Sequence, residues 1–278
     1  MSVTSLTLTP EVFTILAGLI EERVGLHYSP LDRELVGHKL SARALDAGFD
    51  SLLDYYYFLR YDPKSQDEFD ALVDSLVVNE TYFFREYEQL VVLVDSVLAP
   101  RIEAGVRPRV WCAACSTGEE PLTLAMILAE RGLLDSCSIV ASDVSRRALE
   151  RAKRGVFGER ALRRLPPETV ASRWLTKEPG RILVSAALRE VIDWRRINLL
   201  DRSAIDRVGA CDAITCRNVL IYFRDETTRE VLESLRRTLV PGGALLVGVS
   251  ESLLRFGESL ACEERGNVFL YRRRENEP

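Results

Sequence analysis

Arg109-Val-Trp-Cys-Ala-Ala-Cys-Ser-Thr-Gly-Glu-Glu-Pro-Leu-Thr-Leu-Ala-Met-Ile-Leu-Ala129 decides how the chain is read. Val110 to Ala114 is a short apolar run, long enough for a buried strand. Cys115 to Gly118 is a loop of small residues. Glu119, Glu120 and Pro121 suit the first turn of a helix, where carboxylates complement the positive dipole end and proline needs no amide partner. Leu122, Leu124, Ala125, Ile127 and Leu128 give that helix a broad apolar face. Strand, tight loop and helix open a nucleotide-binding α/β unit. An ordinary βα unit without a ligand reads the same way, because Gly-x-Gly-x-x-Gly is absent and only Gly118 is present.

Downstream, Ser138 to Asp143 reads as a second strand ending in a carboxylate. Dinucleotide sites place an acid about 20 residues beyond the glycine loop, on the ribose hydroxyls. Asp143 suits that role, or that of N-cap for a helix from Ser145 to Lys153, or both. Residues 155–196 break the rhythm. Pro166-Pro167 marks a turn, and Arg181–Val184 and Val191–Trp194 look like short strands around Pro179-Gly180. This predicts a small β-rich insertion, a feature that more often recognises partners than does chemistry. The pattern resumes with a third strand and its end at Arg196–Leu200. A fourth strand, Cys211–Cys216, leads into Arg217–Phe223. A helix over Asp225–Leu239, a fifth strand over Ala244–Val249 and a last, antiparallel strand over Asn267–Tyr271 follow. Such alternation implies a mostly parallel sheet with helices on both faces. Ligands sit at the carboxyl ends of its strands, where Gly118, Asp143, Asn198 and Asn218 fall.

Upstream, residues 1–78 read as a separate helical domain. One helix begins at Pro10 and stops at Gly25. Others run from Leu31 to Ala47, from Ser51 to a break at Asp62-Pro63, and through Phe69, Leu72, Val73 and Leu76. Lys39 and Arg43 share one face of the second helix, as a docking face for an acidic partner or as a solvated surface. Asn79-Glu-Thr-Tyr-Phe-Phe-Arg-Glu86 follows, then a helix from Tyr87 to Ala104. Phe83 and Phe84 suit core packing. Asn79 and Thr81 could cap that helix, and Arg85 could pair with Glu86 or Glu88.

The bulk properties bound the answer. The chain has 278 residues, 47% hydrophobic and 28% charged, with a net charge of −5. That is the composition of a soluble globular protein, and its acidity argues against a nucleic-acid binder. Neither a signal peptide nor an apolar run of roughly 18 residues is visible. Six cysteines without a secretion signal fit reduced thiols in a cytoplasm. Cys112-x-x-Cys115 has the spacing of a redox or zinc pair, but no second ligand pair follows, so a strand and its loop explain it. The two histidines, His27 and His38, are both N-terminal, so a Ser-His-Asp triad in the α/β domain is not available.

Four segments carry a resemblance: Asn79–Glu86; Cys115–Pro121; Cys216-Arg-Asn-Val-Leu-Ile-Tyr-Phe223; and Ser250-Glu-Ser-Leu253. In that order, over essentially the whole chain, they resemble the CheR family. These are S-adenosylmethionine-dependent methyltransferases that esterify glutamates on bacterial chemoreceptors. The resemblance implies a Rossmann-like methyltransferase domain over 79–278, with a β-rich insertion at about 155–196, after a helical domain over 1–78. It implies S-adenosylmethionine as cofactor and no metal. It places Asn79, Thr81 and Arg85 at the cofactor's methionine end, with Glu119 near it. Asp143 falls on the ribose, and Asn198, Leu199, Asn218 and Val219 make the remaining contacts. Arg85 and Tyr222 resemble the pair facing the methyl and the substrate carboxylate.

The implied partner is the cytoplasmic helical bundle of chemoreceptors, met by a monomer, with no nucleic acid and no membrane insertion. Two departures stand out. Ala42 and Leu45 occupy positions where the family commonly carries basic residues, and Val249 replaces a usual histidine. The first leaves open a methyltransferase for a non-receptor protein or small molecule, or a cofactor-binding adaptor without catalysis. Family members that grip a receptor's C-terminal peptide carry a glycine-bearing loop in the insertion. Here Pro179-Gly180 predicts only a tight turn, so binding of such a pentapeptide is not expected.

Overall fold

The computed structural model describes residues 6–163, 170, 173–257 and 260–275. By their contacts these fall into two compact units, Met1–Val78 with Tyr222–Arg224, and Asn79–Ile221 with Asp225–Pro278.

Among its described residues the first unit holds four α-helices: α1 (Pro10–Val24), α2 (Arg33–Asp46), α3 (Leu52–Tyr61) and α4 (Gln66–Leu76). Thr9 caps α1 by accepting from the Val12 amide, and Gly25 ends it with φ 80, a left-handed value that suits glycine. The core is the shared apolar face: Leu16, Ile20, Leu40, Leu59 and Leu72 are fully buried. Arg43 is partly buried and engaged within this unit. Its Nε donates to Glu68 Oε1 (3.1 Å), which also accepts from the buried Tyr55 hydroxyl (2.6 Å). Lys39 donates to the Leu76 carbonyl (3.3 Å). Leu35 and Leu45 on α2, and Leu31 (94% exposed) in the turn before it, are exposed.

The second unit is built on a seven-stranded sheet in the order β6-β2-β1-β7-β8-β10-β9. Its strands are β1 (Arg109–Ala113), β2 (Ser138–Asp143), β6 (Ile192–Arg196), β7 (Cys211–Cys216), β8 (Leu239–Val247), β9 (Ala261–Arg265) and β10 (Val268–Arg272). β6, β2, β1, β7 and β8 are parallel, and β10 is antiparallel to β8 and β9. Val110, Trp111 and Cys112 on the central strand are completely buried. A long helical stretch precedes β1: α5 (Tyr87–Leu93), a π-helical turn over Val94–Leu98 and α6 (Ala99–Glu103). α7 (Glu119–Glu130) follows β1, and α8 (Arg146–Arg154) follows β2.

Three strands form the separate small sheet, β3 (Val156–Gly158), β5 (Arg181–Val184) and β4 (Leu175–Glu178). β4 and β5 pair as a hairpin across Pro179-Gly180, with Gly180 at φ 74. Two strand assignments need correction. Val191–Trp194 belongs to no insertion strand: β6 is the edge of the main sheet, paired with β2. Of the strand read at Arg196–Leu200, only Arg196 is in a strand, as the end of β6, and residues 197–200 are the loop after it. Its apolar residues Ile197 and Leu199 are buried without being in a strand, which is why they imitated one. The turn expected at Pro166-Pro167 lies outside the described residues. Among the described residues no helix is long and apolar enough to cross a membrane.

Candidate active site

The parallel strands end in one row, with Arg196 beside Asp143, Ser142 beside Ala113, Ala113 beside Cys216, and Cys216 beside Val247. The chain leaves β1 toward β2 and returns on the other side as β7. This reversal opens a crevice at the carboxyl edge, where such sheets bind ligands. The loop after β1 makes a tight passage there. Ala114 (φ 54), Ser116 (φ 50) and Gly118 (φ 92) are all left-handed. A Cβ on Gly118 would stand 2.6 Å from Ala152 Cβ and 3.0 Å from the Trp194 ring, so the loop lies against α8 and β6.

Asp143 organises this loop. Its Oδ2 accepts from the Ser116 amide (2.7 Å) and its Oδ1 from the Ser145 amide (2.9 Å). The cap of α8 is Ser145, whose hydroxyl accepts from the Ala148 amide, so Asp143 is not spent on that task. The Asp143 carbonyl accepts from the Ile197 amide (3.1 Å), which sets Asn198 and Leu199 alongside. The Ser116 hydroxyl donates to Asn79 Oδ1 (3.1 Å). Asn79 therefore meets the β1 loop, while the helix after it starts at Tyr87 behind a left-handed Glu86. The capping role weighed for Asn79 and Thr81 is absent.

Segment 79–86 is fastened from three sides. The Phe83 amide donates to the Ala161 carbonyl (2.8 Å) and the Phe84 amide to the Thr123 hydroxyl of α7 (3.2 Å). Both rings are buried, Phe83 standing edge-on to Phe157 at 4.9 Å. Arg85 is partly exposed. Its Nη1 donates to the Glu80 carbonyl (2.9 Å), and its Nε lies 3.8 Å from Glu86 Oε1.

On the far side, Asn218 (φ 59) turns the chain after β7. Buried Glu251 accepts from the amides of Asn218, Leu220 (2.8 Å) and Gly248 (2.9 Å) and so fixes Asn218 and Val219. Gly248 is required for this, since a Cβ there would fall 2.5 Å from Asn218 Nδ2. Tyr222 ends the short turn that follows and groups by its contacts with the first unit. Its carbonyl accepts from the His27 amide (2.9 Å).

Glu119 is 2% exposed and accepts from the Thr117 hydroxyl (2.6 Å). Burial raises its pKa above the usual carboxylate value, with that hydrogen bond working the other way. Cys112 and Cys115 are equally enclosed, and burial lifts both thiols far above their ordinary range. Cys137 and Cys211 are pushed up to about 12. Of the six cysteines only Cys262 is exposed.

Comparison with known proteins settles the family. The model described as CheR methyltransferase, SAM binding domain, matches residues 79–266, and the one described as CheR methyltransferase, all-alpha domain, matches residues 11–77. The chain belongs to the CheR methyltransferase family. It is 38% identical over 212 residues to chemotaxis protein methyltransferase 1 of Pseudomonas aeruginosa, covering 73% of this chain and 77% of the relative. Identity is 34% over 239 residues to chemotaxis protein methyltransferase 2 of Vibrio cholerae, covering 84% and 83%. The chemotaxis protein methyltransferase of Escherichia coli is 33% identical over 254 residues, covering 89% and 86%.

As a CheR family member the protein is an S-adenosylmethionine-dependent methyltransferase, and its crevice suits that cofactor. Glu119 and Glu120 occupy the start of α7, where a dinucleotide's pyrophosphate would otherwise sit. Glu119 there, buried at the helix start, disfavours a phosphate, whereas Glu120 is held by Arg217 Nη1 at 2.7 Å. Sequence alone assigns Arg217 and Glu251 no individual role and Glu86 only that of a partner for Arg85, from whose Nε its Oε1 stands 3.8 Å away. The available signal was an arginine following an unbroken buried strand, with no solvent-facing position to explain its charge.

Proposed function

We propose that the protein transfers the methyl group of S-adenosylmethionine to glutamate carboxylates on the cytoplasmic helical bundle of chemoreceptors. The products would be the methyl esters of chemotactic adaptation. Besides the family itself, the observation that most supports this is the link from Asn79 through Ser116 to Asp143. Three segments assigned separately to one ligand touch each other at the carboxyl edge of the sheet.

The cofactor supplies an electrophilic methyl group on a positively charged sulfur. In our reading Asp143 receives the ribose hydroxyls. Asn79, Thr81 and Arg85 meet the methionine end, with Glu119 nearby. Asn198, Leu199, Asn218 and Val219 complete the pocket. Arg85 and Tyr222 orient the acceptor carboxylate. That carboxylate needs no general base, because a glutamate with a pKa of about 4.3 is ionised near neutrality. Both histidines, His27 and His38, can then stand outside the methyltransferase unit. Orientation carries the rate, since effective molarities of aligned groups reach roughly 10⁵ to 10⁸ M. Arg85 suits an orienting role because its charge is already partly offset by Glu86 at 3.8 Å. A weaker grip leaves the carboxylate nucleophilic.

The protein would work in the cytoplasm as a monomer, without nucleic acid or membrane insertion. It would not use a receptor's C-terminal pentapeptide, since β4 and β5 are joined by a compact turn that adds little surface to an edge-added strand. The exposed Leu35 and Leu45 on α2, with Leu31 just before it, favour, as a second reading, a protein acceptor other than the standard bundle. The test is transfer from labelled cofactor to receptor fragments, with label released by base as methanol. Base-stable label on another acceptor would refute the glutamate reading. Tail-dependent methylation would refute the peptide claim alone.

A further inference from the structure

Arg217 lies between the end of β7 and Asn218, and its side chain is only 2% exposed. Its Nε donates to Gln89 Oε1 (3.2 Å) and its Nη1 to Glu120 Oε2 (2.7 Å). Its Nη2 donates both to the Arg85 carbonyl and to Glu86 Oε2, each at 2.9 Å. Burial works against its charge, and the Glu120 and Glu86 carboxylates outweigh that. Buried ion pairs contribute little net stability against apolar replacements of equal volume, so geometry is the better explanation for this one.

The geometry is specific. Arg85 sits between two left-handed residues, Phe84 (φ 63) and Glu86 (φ 49). A β-carbon makes such backbone strained, and it persists only when its surroundings hold it. Glu86 spans both arginines: Oε2 is held by Arg217 and by the Val249 amide (3.3 Å), while Oε1 stays 3.8 Å from Arg85 Nε. Glu86 is thereby kept from closing onto Arg85 as a full ion pair.

We propose that Arg217 is a positioning residue for methyl transfer. It clamps the strained turn at Phe84–Glu86 and holds the Glu86 carboxylate back, so that the Arg85 guanidinium stays aimed and available. This rests on the assignment of Arg85 to the methyl-transfer site. Arg217→Lys keeps the charge but not the fork, and Arg217→Gln removes both. Misplacement of about 1 Å can cost about 10²-fold in rate. Arg217→Gln should therefore lower kcat by about that factor, and Arg217→Lys by about tenfold. Affinity for S-adenosylhomocysteine, read by calorimetry, should fall by less than kcat in each.

The deciding variant is the pair Arg217→Gln with Glu86→Gln. With no carboxylate left to quench Arg85, kcat should recover about tenfold over Arg217→Gln alone. If Arg217→Gln does not fold, Arg217→Lys with and without Glu86→Gln carries the same comparison. Val97→Ala, a buried change outside the site, serves as a control for lowered Tm. Wild-type kcat in Arg217→Lys, or no recovery in the double variant, overturns the proposal while Arg85→Ala remains inactive. Full activity in Arg85→Ala would instead refute the underlying assignment, and the proposal with it.

Discussion

Replacing Asp143 by asparagine tests the centre of the site. The carboxylate accepts the Ser116 and Ser145 amides at 2.7 and 2.9 Å, and the carbonyl of the same residue holds the Ile197 amide. Asparagine keeps one acceptor oxygen and replaces the other with a donor, which must turn away from an amide or from the ribose. A hydrogen bond to a charged group contributes about 1.5–3 kcal/mol. Loss of one such bond to the ribose would weaken S-adenosylmethionine binding by about 10- to 150-fold, at about 1.4 kcal/mol per decade. Loss of an amide partner would destabilise the fold by a similar amount and lower Tm by several degrees. Calorimetric titration with the cofactor, beside a thermal melt without it, separates the two. A lowered Tm with unchanged affinity would show that Asp143 only braces the loop, and the ribose assignment would fall.

Tyr222→Phe is expected to lower turnover far more than cofactor affinity, and equal losses in both would move Tyr222 into the cofactor pocket. Glu119→Gln should flatten the dependence of stability on pH. Because the folded-state pKa of Glu119 is raised above its ordinary 4.5 by burial, the folded form binds the extra proton, and stability falls as pH rises from about 4.5 through that raised value. Melting curves from pH 4 to 8 that keep the same slope in the variant would contradict this. Arg43→Ala should destabilise the helical unit by about 1.5–3 kcal/mol by stripping Glu68 of its cationic partner and leaving it only the Tyr55 hydroxyl, with receptor affinity unchanged in protein that remains folded; a loss of affinity without loss of stability would make Arg43 a docking residue.

Much of the fold is legible in the sequence because its elements carry strong periodic signals. β1, β2 and β7 are apolar runs bounded by turns, and Gly25 marks the end of α1. Signals fail where burial and secondary structure part company. Ile197 and Leu199 are buried in a loop and imitate a strand. β9, Ala261–Arg265, is an exposed and charged edge strand that leaves no apolar trace. The apolar pattern of Ile192–Trp194 shows a strand but not which sheet it joins. The site divides in the same way. Asp143 and Asn218 can be found because they follow strands directly. The Arg217 contacts to Glu86 and Glu120 join residues far apart in the chain, and a charged side chain is by default assigned to the surface.

The distribution of cysteines has a practical meaning. Alkylation and disulfide exchange proceed through the thiolate and need access. Five of the six thiols are buried, and burial pushes each of those five up. Cys262, on the β9 edge strand, is left as the accessible one. The native chain thus carries a single address for a maleimide dye or spin label, with no substitution needed. The same residue is where two copies would join covalently under oxidising conditions, so a reductant-sensitive dimer would report on Cys262 rather than on an assembly built into the fold.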